Sequence, residues 1–440
     1  MANAAGFTAD IKEPPVESAK WWGTEMGADG TRRSGRVVVD DWLPEVIGVQ
    51  RQRTYATMAR SALPGAVARD LGTNSMRPTW TMRPKDDSPL AVEISDHCSS
   101  CITDIEGGWE TFISSATKGA GVHGFVLHEM CFKERLGLDA EIPSNFNDGK
   151  IGIAGLRNRR QDSLLDWEWD KEARRPTAFR QYDYGTGATL TVPLVKCLHT
   201  RMSAENENPE GESMYRNVLP YWLNQQSFEE LEAIGAERDA VGLLIYRLNI
   251  EALKEKDKPA AIAKARGMLR RARRGETEGL VMDAARDGDG NLIHELFALP
   301  SPGARQFDLD KIITRYDQRI LIGMGYGHLL LGHAGVGSLG QVADKGVENS
   351  MLRLEGILDQ IAAQINAKLL PWLVRLNGWP TDLTPTITHS KIEEFTLTET
   401  AAYLGALAKA GMPIFPTSGG ELEEHLLTSA DLPVAGSTVV

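Results

Sequence analysis

Between Gln341 and Leu376 apolar residues recur every three or four positions without a break. They are Val347, Met351, Leu354, Leu358, Ile361, Ile365, Leu369, Trp372 and Leu376, and Leu352, Ile357, Leu370 and Leu373 widen the stripe. The span 341–376 predicts one helix about 54 Å long at the usual rise per residue. That is longer than most helices in globular proteins and predicts a strut on which other elements are hung. Asn377-Gly378 and then Pro380 supply the stop.

A strut of this kind needs a large body around it. The 440 residues exceed what one core organises and predict two or three domains. Hydrophobic residues at 42% and charged residues at 25% exclude wholesale disorder. No run approaches the apolar length of a membrane span, and Met1–Lys20 has no signal-peptide core. The balance of 48 Lys+Arg against 60 Asp+Glu gives −12, the wrong sign for gripping nucleic acid with the whole surface. Four cysteines make no disulfide framework. The expectation is a soluble, intracellular, acidic protein of several parts.

Residues 1–40 are small and polar, with Pro14-Pro15 and five glycines, and predict an arm that a partner would have to order. Its Trp21-Trp22 pair suits an anchor on a neighbouring subunit or on the chain's own body. Helix is expected over 41–60, a short strand at Thr79–Met82, and one helix over 90–119 carrying Ile94, Cys98, Ile102, Ile105 and Trp109. Strands are expected at 124–132, 151–156 and 189–194, which makes 41–213 an α+β domain. Residues 220–242 form an acidic helix, 243–248 a strand and 259–275 a basic helix; a hairpin of 279–285 and 292–299 turns through 286–291. Asp308 caps a helix to 323. A small unit thus sits between two helices. Two short helices, 397–410 and 420–429, close the chain.

Motifs that often carry chemistry lack their context. Gly335-Val336-Gly337-Ser338-Leu339-Gly340 matches a dinucleotide fingerprint, yet a strut follows it where a crossover helix is needed. A flexible glycine loop is the better reading. His97-Cys98-Ser99-Ser100-Cys101 offers ligand spacing once, with no second pair, and Cys98 lies on an apolar face. Asp287, Asp289 and Asn291 imitate a calcium loop, but Leu292 and Ala298 stand where Gly and Glu are required. His128 and Glu129 fall on opposite faces of a strand. No GxSxG, Walker or kinase motif is present. No cofactor, metal or catalytic residue is expected, and the chain reads as a non-enzyme.

Several stretches remain. Pro193-Leu194-Val195-Lys196-Cys197-Leu198-His199 and Asn208-Pro209-Glu210-Gly211-Glu212-Ser213-Met214-Tyr215-Arg216 precede a Trp-bearing helix. Downstream come Arg315–Leu321, Gly337-Ser338-Leu339, Leu373–Gly378, Leu404–Met412 and Asp431-Leu432-Pro433. In this order they resemble the portal proteins of tailed bacteriophages, and most closely their Mu-like branch. The match is patchy but collinear from about 120 to 433, and the order is its specific part. The fold class implied is the α+β portal fold assembled as a ring.

The resemblance implies an arm (1–40), a wing (41–213), a first stem helix (214–242), a clip (243–306) and a second stem helix (307–325). A tunnel loop (326–345), a long helix returning to the wing (346–384) and a crown with tail (385–440) would follow. Such proteins form a homo-oligomeric ring, usually of twelve, at one capsid vertex. The implied partners are the major capsid protein, the terminase large subunit, the head–tail adaptor and double-stranded DNA, with no membrane. The implied location is the virion, after assembly in the host bacterial cytoplasm. Glu229, Glu230, Glu232 and Glu237 would line an acidic channel that lets DNA slide, since strong binding would stall it. Ser338, Gln341 and Lys345 of the tunnel loop would touch DNA. Arg266, Arg270, Arg271, Arg273 and Arg274 of the clip would dock the motor and then the adaptor; a solvated helix face is the plain alternative. Two other readings stand beside this one: a nucleotide-using enzyme built on 335–340, and a tail or baseplate scaffold without a channel.

Overall fold

The structure, a computed structural model, describes residues 30–39, 41, 43–170, 175–202, 207–241, 243–248, 254–273, 294–299, 309–327, 329 and 340–392. In chain order its elements are β1 (Arg33–Ser34), β2 (Val37–Val38), α1 (Gly48–Met58), α2 (Ala62–Asn74), β3 (Trp80–Arg83), α3 (Pro89–Thr103) and α4 (Trp109–His123). Then come β4 (Phe125–Leu136), β5 (Asn147–Arg159), β6 (Leu164–Trp169), β7 (Pro176–Tyr182), β8 (Thr189–Pro193) and β9 (Cys197–Arg201). The rest are α5 (Leu219–Val241), β10 (Leu243–Leu248), α6 (Lys258–Arg273), β11 (His294–Leu299), α7 (Leu309–Met324), α8 (Gly340–Gln364), a π-helical turn (Ile365–Leu369), α9 (Leu370–Leu376) and β12 (Thr386–His389). The chain divides into two compact units. The first takes residues up to Arg60, then Gly65–Met214 and Glu348 onward; the second takes Ser61–Pro64 and Tyr215–Val347. The arm's Trp21-Trp22, Gly335–Gly340 apart from Gly340 itself, the 286–291 turn, Asp308 and the segments 397–410 and 420–429 lie outside the described residues.

The first unit has two antiparallel three-stranded sheets, ordered β5-β4-β9 and β6-β7-β8, and a two-stranded pair of β3 with β12. The helix read from sequence over 90–119 is two helices. α3 starts at Ser88, whose hydroxyl accepts the Ala91 N–H at 3.3 Å, with Pro89 at its first position. It stops at Thr103 because Gly107 and Gly108 take φ of +89° and +81°, which a helix cannot hold. The apolar periodicity runs on through the break because Ile105 and Trp109 enter the same core as Ile94 and Cys98. At the break the Asp104 carboxylate accepts from the Ser144 hydroxyl (2.6 Å) and the Asn145 N–H (2.9 Å) and pairs with Lys133 Nζ (2.9 Å). Burial alone would raise its pKa, but those hydrogen bonds and the Lys133 ammonium outweigh it and hold it below the usual carboxylate range.

The strut is present and helical from Gly340 to Leu376, but not uniform. Pro371 has no N–H to donate, and the turn ahead of it widens to the π form over Ile365–Leu369. Leu358, Ile361, Ile365, Leu369, Leu370 and Leu373 are buried in one core with Ile94, Ile113 and Ile153, while Leu352 stands exposed. Two asparagines stitch the strut to strands by imitating a strand backbone. Asn366 accepts from the Ile387 N–H (2.8 Å) and donates to its carbonyl (3.0 Å). Asn377 does the same to Ile151, at 2.8 and 2.9 Å. Farther on, β12 pairs antiparallel with β3, Thr386 opposite Arg83 and His389 opposite Trp80.

In the second unit α5 packs against α7, and β10 pairs antiparallel with β11, Leu243 opposite Leu299 and Leu248 opposite His294. β11 was expected to pair with 279–285; its described partner is β10, and 279–285 lie outside the described residues. α6 lies against β10.

Candidate functional site

The run His199 to Met214, read above as a signature, is a joint in the first unit. Gly211 (φ +54°) and Gly124 (φ +85°) meet backbone to backbone, and a Cβ on Gly124 would collide with the backbone of Glu210–Ser213 and one on Gly211 with that of Gly124 and Met202. Around that contact the Met202 N–H donates to the Gly124 carbonyl (2.7 Å), the Glu212 N–H to Met202 (2.8 Å) and the Met214 N–H to Gly121 (3.1 Å). The Ser213 hydroxyl donates to the Val122 carbonyl. His199 Nε2 donates to the Pro209 carbonyl at 2.7 Å; burial first, then Arg201, pushes its pKa down to about 3, so it is a neutral structural donor.

The joint holds a buried charge that the sequence reading passed over. Glu210 is 3% exposed; its carboxylate accepts from Arg51 Nη1 at 2.6 Å and from Trp167 Nε1 at 3.0 Å. Arg51 Nε donates to the Val46 carbonyl at 2.7 Å. The only hint in sequence was an acid inside a run otherwise built for turning. The His97-Cys98-Ser99-Ser100-Cys101 run serves the core as well. His97 Nδ1 accepts from Arg135 Nη1 (3.0 Å) and its Nε2 donates to the Ile151 carbonyl (3.0 Å), while burial pushes the Cys98 thiol up to about 12. Among the described residues no group of three or more His, Cys, Asp or Glu is placed to hold a metal ion.

The remaining candidates lie in the second unit, whose first residues anchor firmly. The Tyr215 hydroxyl donates to the Pro64 carbonyl (2.7 Å) and Trp222 Nε1 to the Ser61 hydroxyl (3.2 Å). Gly323 admits Val218 against its Cα, so α5 and α7 come close. Farther along, Tyr316 stacks on Phe228 (5.5 Å, 27°) and Gln225 donates to Asp317. The Asp317 carboxyl is raised, by burial first and then by the Glu229 charge. Arg319 lies over the Tyr221 ring (5.6 Å) and Arg315 over Tyr316 (5.8 Å).

Glu229, Glu230 and Glu232 are exposed on α5. Glu229 and Glu232, three residues apart, share a side; Glu230 points about 100° away from Glu229, so the three do not make one stripe. Glu237 is on the last turns of α5, its side chain outside the described set. On α6, Arg266 and Arg270 are exposed one turn apart, beside Lys264. Arg271 and Arg273 belong to the same helix with side chains outside the described set, and Arg274 follows beyond it. Gln341 and Lys345 are on the first turns of α8, side chains likewise undescribed, and Ser338 precedes them outside the described residues.

A family model described as "Portal protein of Mu bacteriophage" matches residues 52–419. No curated protein matches the chain. Among solved structures, an HK97-family phage portal protein from Corynebacterium diphtheriae is 12% identical, with 82% of this chain and 98% of that chain covered and a TM-score of 0.41. A chain from the neck of an empty gene transfer agent particle is 11% identical, with 92% and 98% covered and a TM-score of 0.49. One from the virion of the native gene transfer agent particle is 11% identical, with 91% and 97% covered and a TM-score of 0.48.

Proposed function

The chain belongs to the Mu-type phage portal family, and from that premise we propose that it forms a ring of twelve copies at one capsid vertex, through which DNA enters and leaves. The observation that carries this is the family match running from 52 to 419 across both units, with a small β10–α6–β11 unit placed between the paired helices α5 and α7. In this reading α5 and α7 are the stem and β10–α6–β11 the clip. The first unit, with its strut, is the wing, and the C-terminal residues form the crown.

The exposed Arg266 and Arg270 of α6, with Arg271, Arg273 and Arg274, would dock the terminase during packaging and the head–tail adaptor afterwards. Guanidinium groups suit both an acidic protein surface and a phosphate chain. The carboxylates of α5, among them Glu229, Glu232 and Glu237, would keep phosphates from settling, and Ser338, Gln341 and Lys345 would touch DNA lightly. The protein makes and breaks no bonds in this scheme; a separate motor hydrolyses ATP. It would assemble in the host cytoplasm, meet the major capsid protein through its wing, and remain in the virion.

Class-averaged electron microscopy of the purified full chain tests this. Rings with a central hole are expected. Compact dimers or tetramers without a hole would overturn the reading.

A further inference from the structure

The hairpin of β4 and β5 ends in a closed tip. The Gly137 N–H donates to the Phe146 carbonyl (2.9 Å) and the Ser144 N–H to the Gly137 carbonyl (3.1 Å), so 138–143 form a loop on a hydrogen-bonded neck. Gly137 takes φ +88°, a conformation that a side chain there would strain. Leu138 on the loop is 70% exposed and Ile142 46%, and Leu136, the last position of β4, is 51% exposed.

Buried charges pin this tip from beneath. Lys133 Nζ donates to the Pro143 carbonyl (2.7 Å) and the Asp104 carbonyl (3.0 Å) and pairs with the Asp104 carboxylate, which also holds Ser144 and Asn145. Arg135 lies over the Phe146 ring at 3.9 Å and pairs with Asp148 at 3.1 Å. The Lys133, Asp104 and Arg135 side chains are all buried. Lifting the loop would strand those charges, so it keeps one shape. A loop already held in shape loses little freedom when a partner binds it. Apolar residues kept in water on so firm a mount mark an interaction surface.

The tip also carries carboxylates without a cation. Glu134, Asp139 and Glu141 are exposed and pair with no described residue. Every other acid on the strands of the two three-stranded sheets meets an arginine: Glu129 with Arg159, Asp148 with Arg135, Asp166 with Arg180 and Glu168 with Arg36. Strand alternation turns Lys133 and Arg135 inward and leaves Glu134 and Leu136 facing out. The missing countercharge must therefore come from a partner that also offers apolar surface. Nucleic acid and anionic lipid carry the wrong sign.

We propose that 134–142 is a docking knob for a cationic amphipathic segment of another protein. Leu136, Leu138 and Ile142 would enter its apolar groove, while Glu134, Asp139 and Glu141 meet Lys or Arg on the rim. The assignment goes beyond the ring reading and holds whether or not the chain closes a ring.

The test uses the full chain and a fluorescein-labelled amphipathic Leu/Lys peptide, read by anisotropy near physiological ionic strength, beside Leu/Glu and Ser/Lys peptides of equal length. The Leu/Lys peptide should bind the wild type more tightly than either control. Leu138→Ser with Ile142→Ser, and separately Asp139→Lys with Glu141→Lys, should each weaken it about tenfold or more. Asp87→Lys with Asp382→Lys, an equal charge change at exposed sites off the tip, should not. The Asp139→Lys, Glu141→Lys form should prefer the Leu/Glu peptide instead, and circular dichroism checks that each form is folded. A wild type that ignores the Leu/Lys peptide overturns the knob. So does equal binding by wild type and tip variants, or a Ser/Lys peptide that binds as well as Leu/Lys. Self-association lost in the tip variants but kept in the Asp87, Asp382 control would overturn it too, by assigning the tip to a second copy of this chain.

Discussion

The two units handle charge in opposite ways. In the first, charged groups go inside only with partners: Glu210 with Arg51 and Trp167, Asp104 with Lys133, and Arg135 with His97 and Asp148. In the helix pair of the second, charged and apolar groups share an open surface, with Arg315 and Arg319 resting on rings and Leu231 and Ile322 in water. A buried pair locks one geometry because breaking it strands a charge, whereas an exposed one adds little to a single chain. The first unit is therefore specified within its own chain, while the described helix pair leaves charged and large apolar side chains together on its surface.

That contrast can be broken most directly at the joint. Glu210→Ala leaves Arg51 buried without its carboxylate and should cost about 3–5 kcal/mol of stability, read by denaturant unfolding. Next is the strut. Leu358→Ala should cost about 2–5 kcal/mol, whereas Leu352→Ala, one face away and exposed, should stay within about 0.5 kcal/mol; equal effects would refute the one-sided burial.

The histidines sharpen the comparison through pH. His123 and His128 are lowered to about 4 and His199 to about 3, all chiefly by burial, from an ordinary 6.5. Because the unfolded chain binds protons that the folded one refuses, their contribution is complete above pH 6.5. It falls by about 1.4 kcal/mol per pH unit per histidine as the pH drops toward the folded values. Acid titration should therefore unfold the first unit steeply, and His199→Gln should flatten the slope. The smallest effect belongs to α7. Asp317 is held against its own ionisation by burial and Glu229, so Asp317→Asn should be neutral or stabilising by less than about 1 kcal/mol at pH 7, by the same unfolding measurement.

Much of this was legible in the sequence because it is periodic. The strut's stripe, the acidic α5, the basic α6 and α7 each declare a helix through spacing that one helical face imposes. The same rule misled at 90–119, where the periodicity continued through Gly107-Gly108 since both helices feed one core. It also hid the π turn, because Pro371 sits within an unbroken apolar pattern. The strand β11 read correctly, but its pairing with β10 rests on residues far apart in the chain.

The candidate site divides the same way. Which residues are acidic or basic on α5, α6 and α7 follows from composition on a helix, and so does the family signature, since its order is a property of the chain. That the signature is a joint, with Glu210 between Arg51 and Trp167 and Gly211 against Gly124, was settled by contacts across 159, 43 and 87 positions of separation. Local spacing determines which face of an element is apolar or charged. What that face meets depends on long-range packing, where distant segments must satisfy the same buried groups at once.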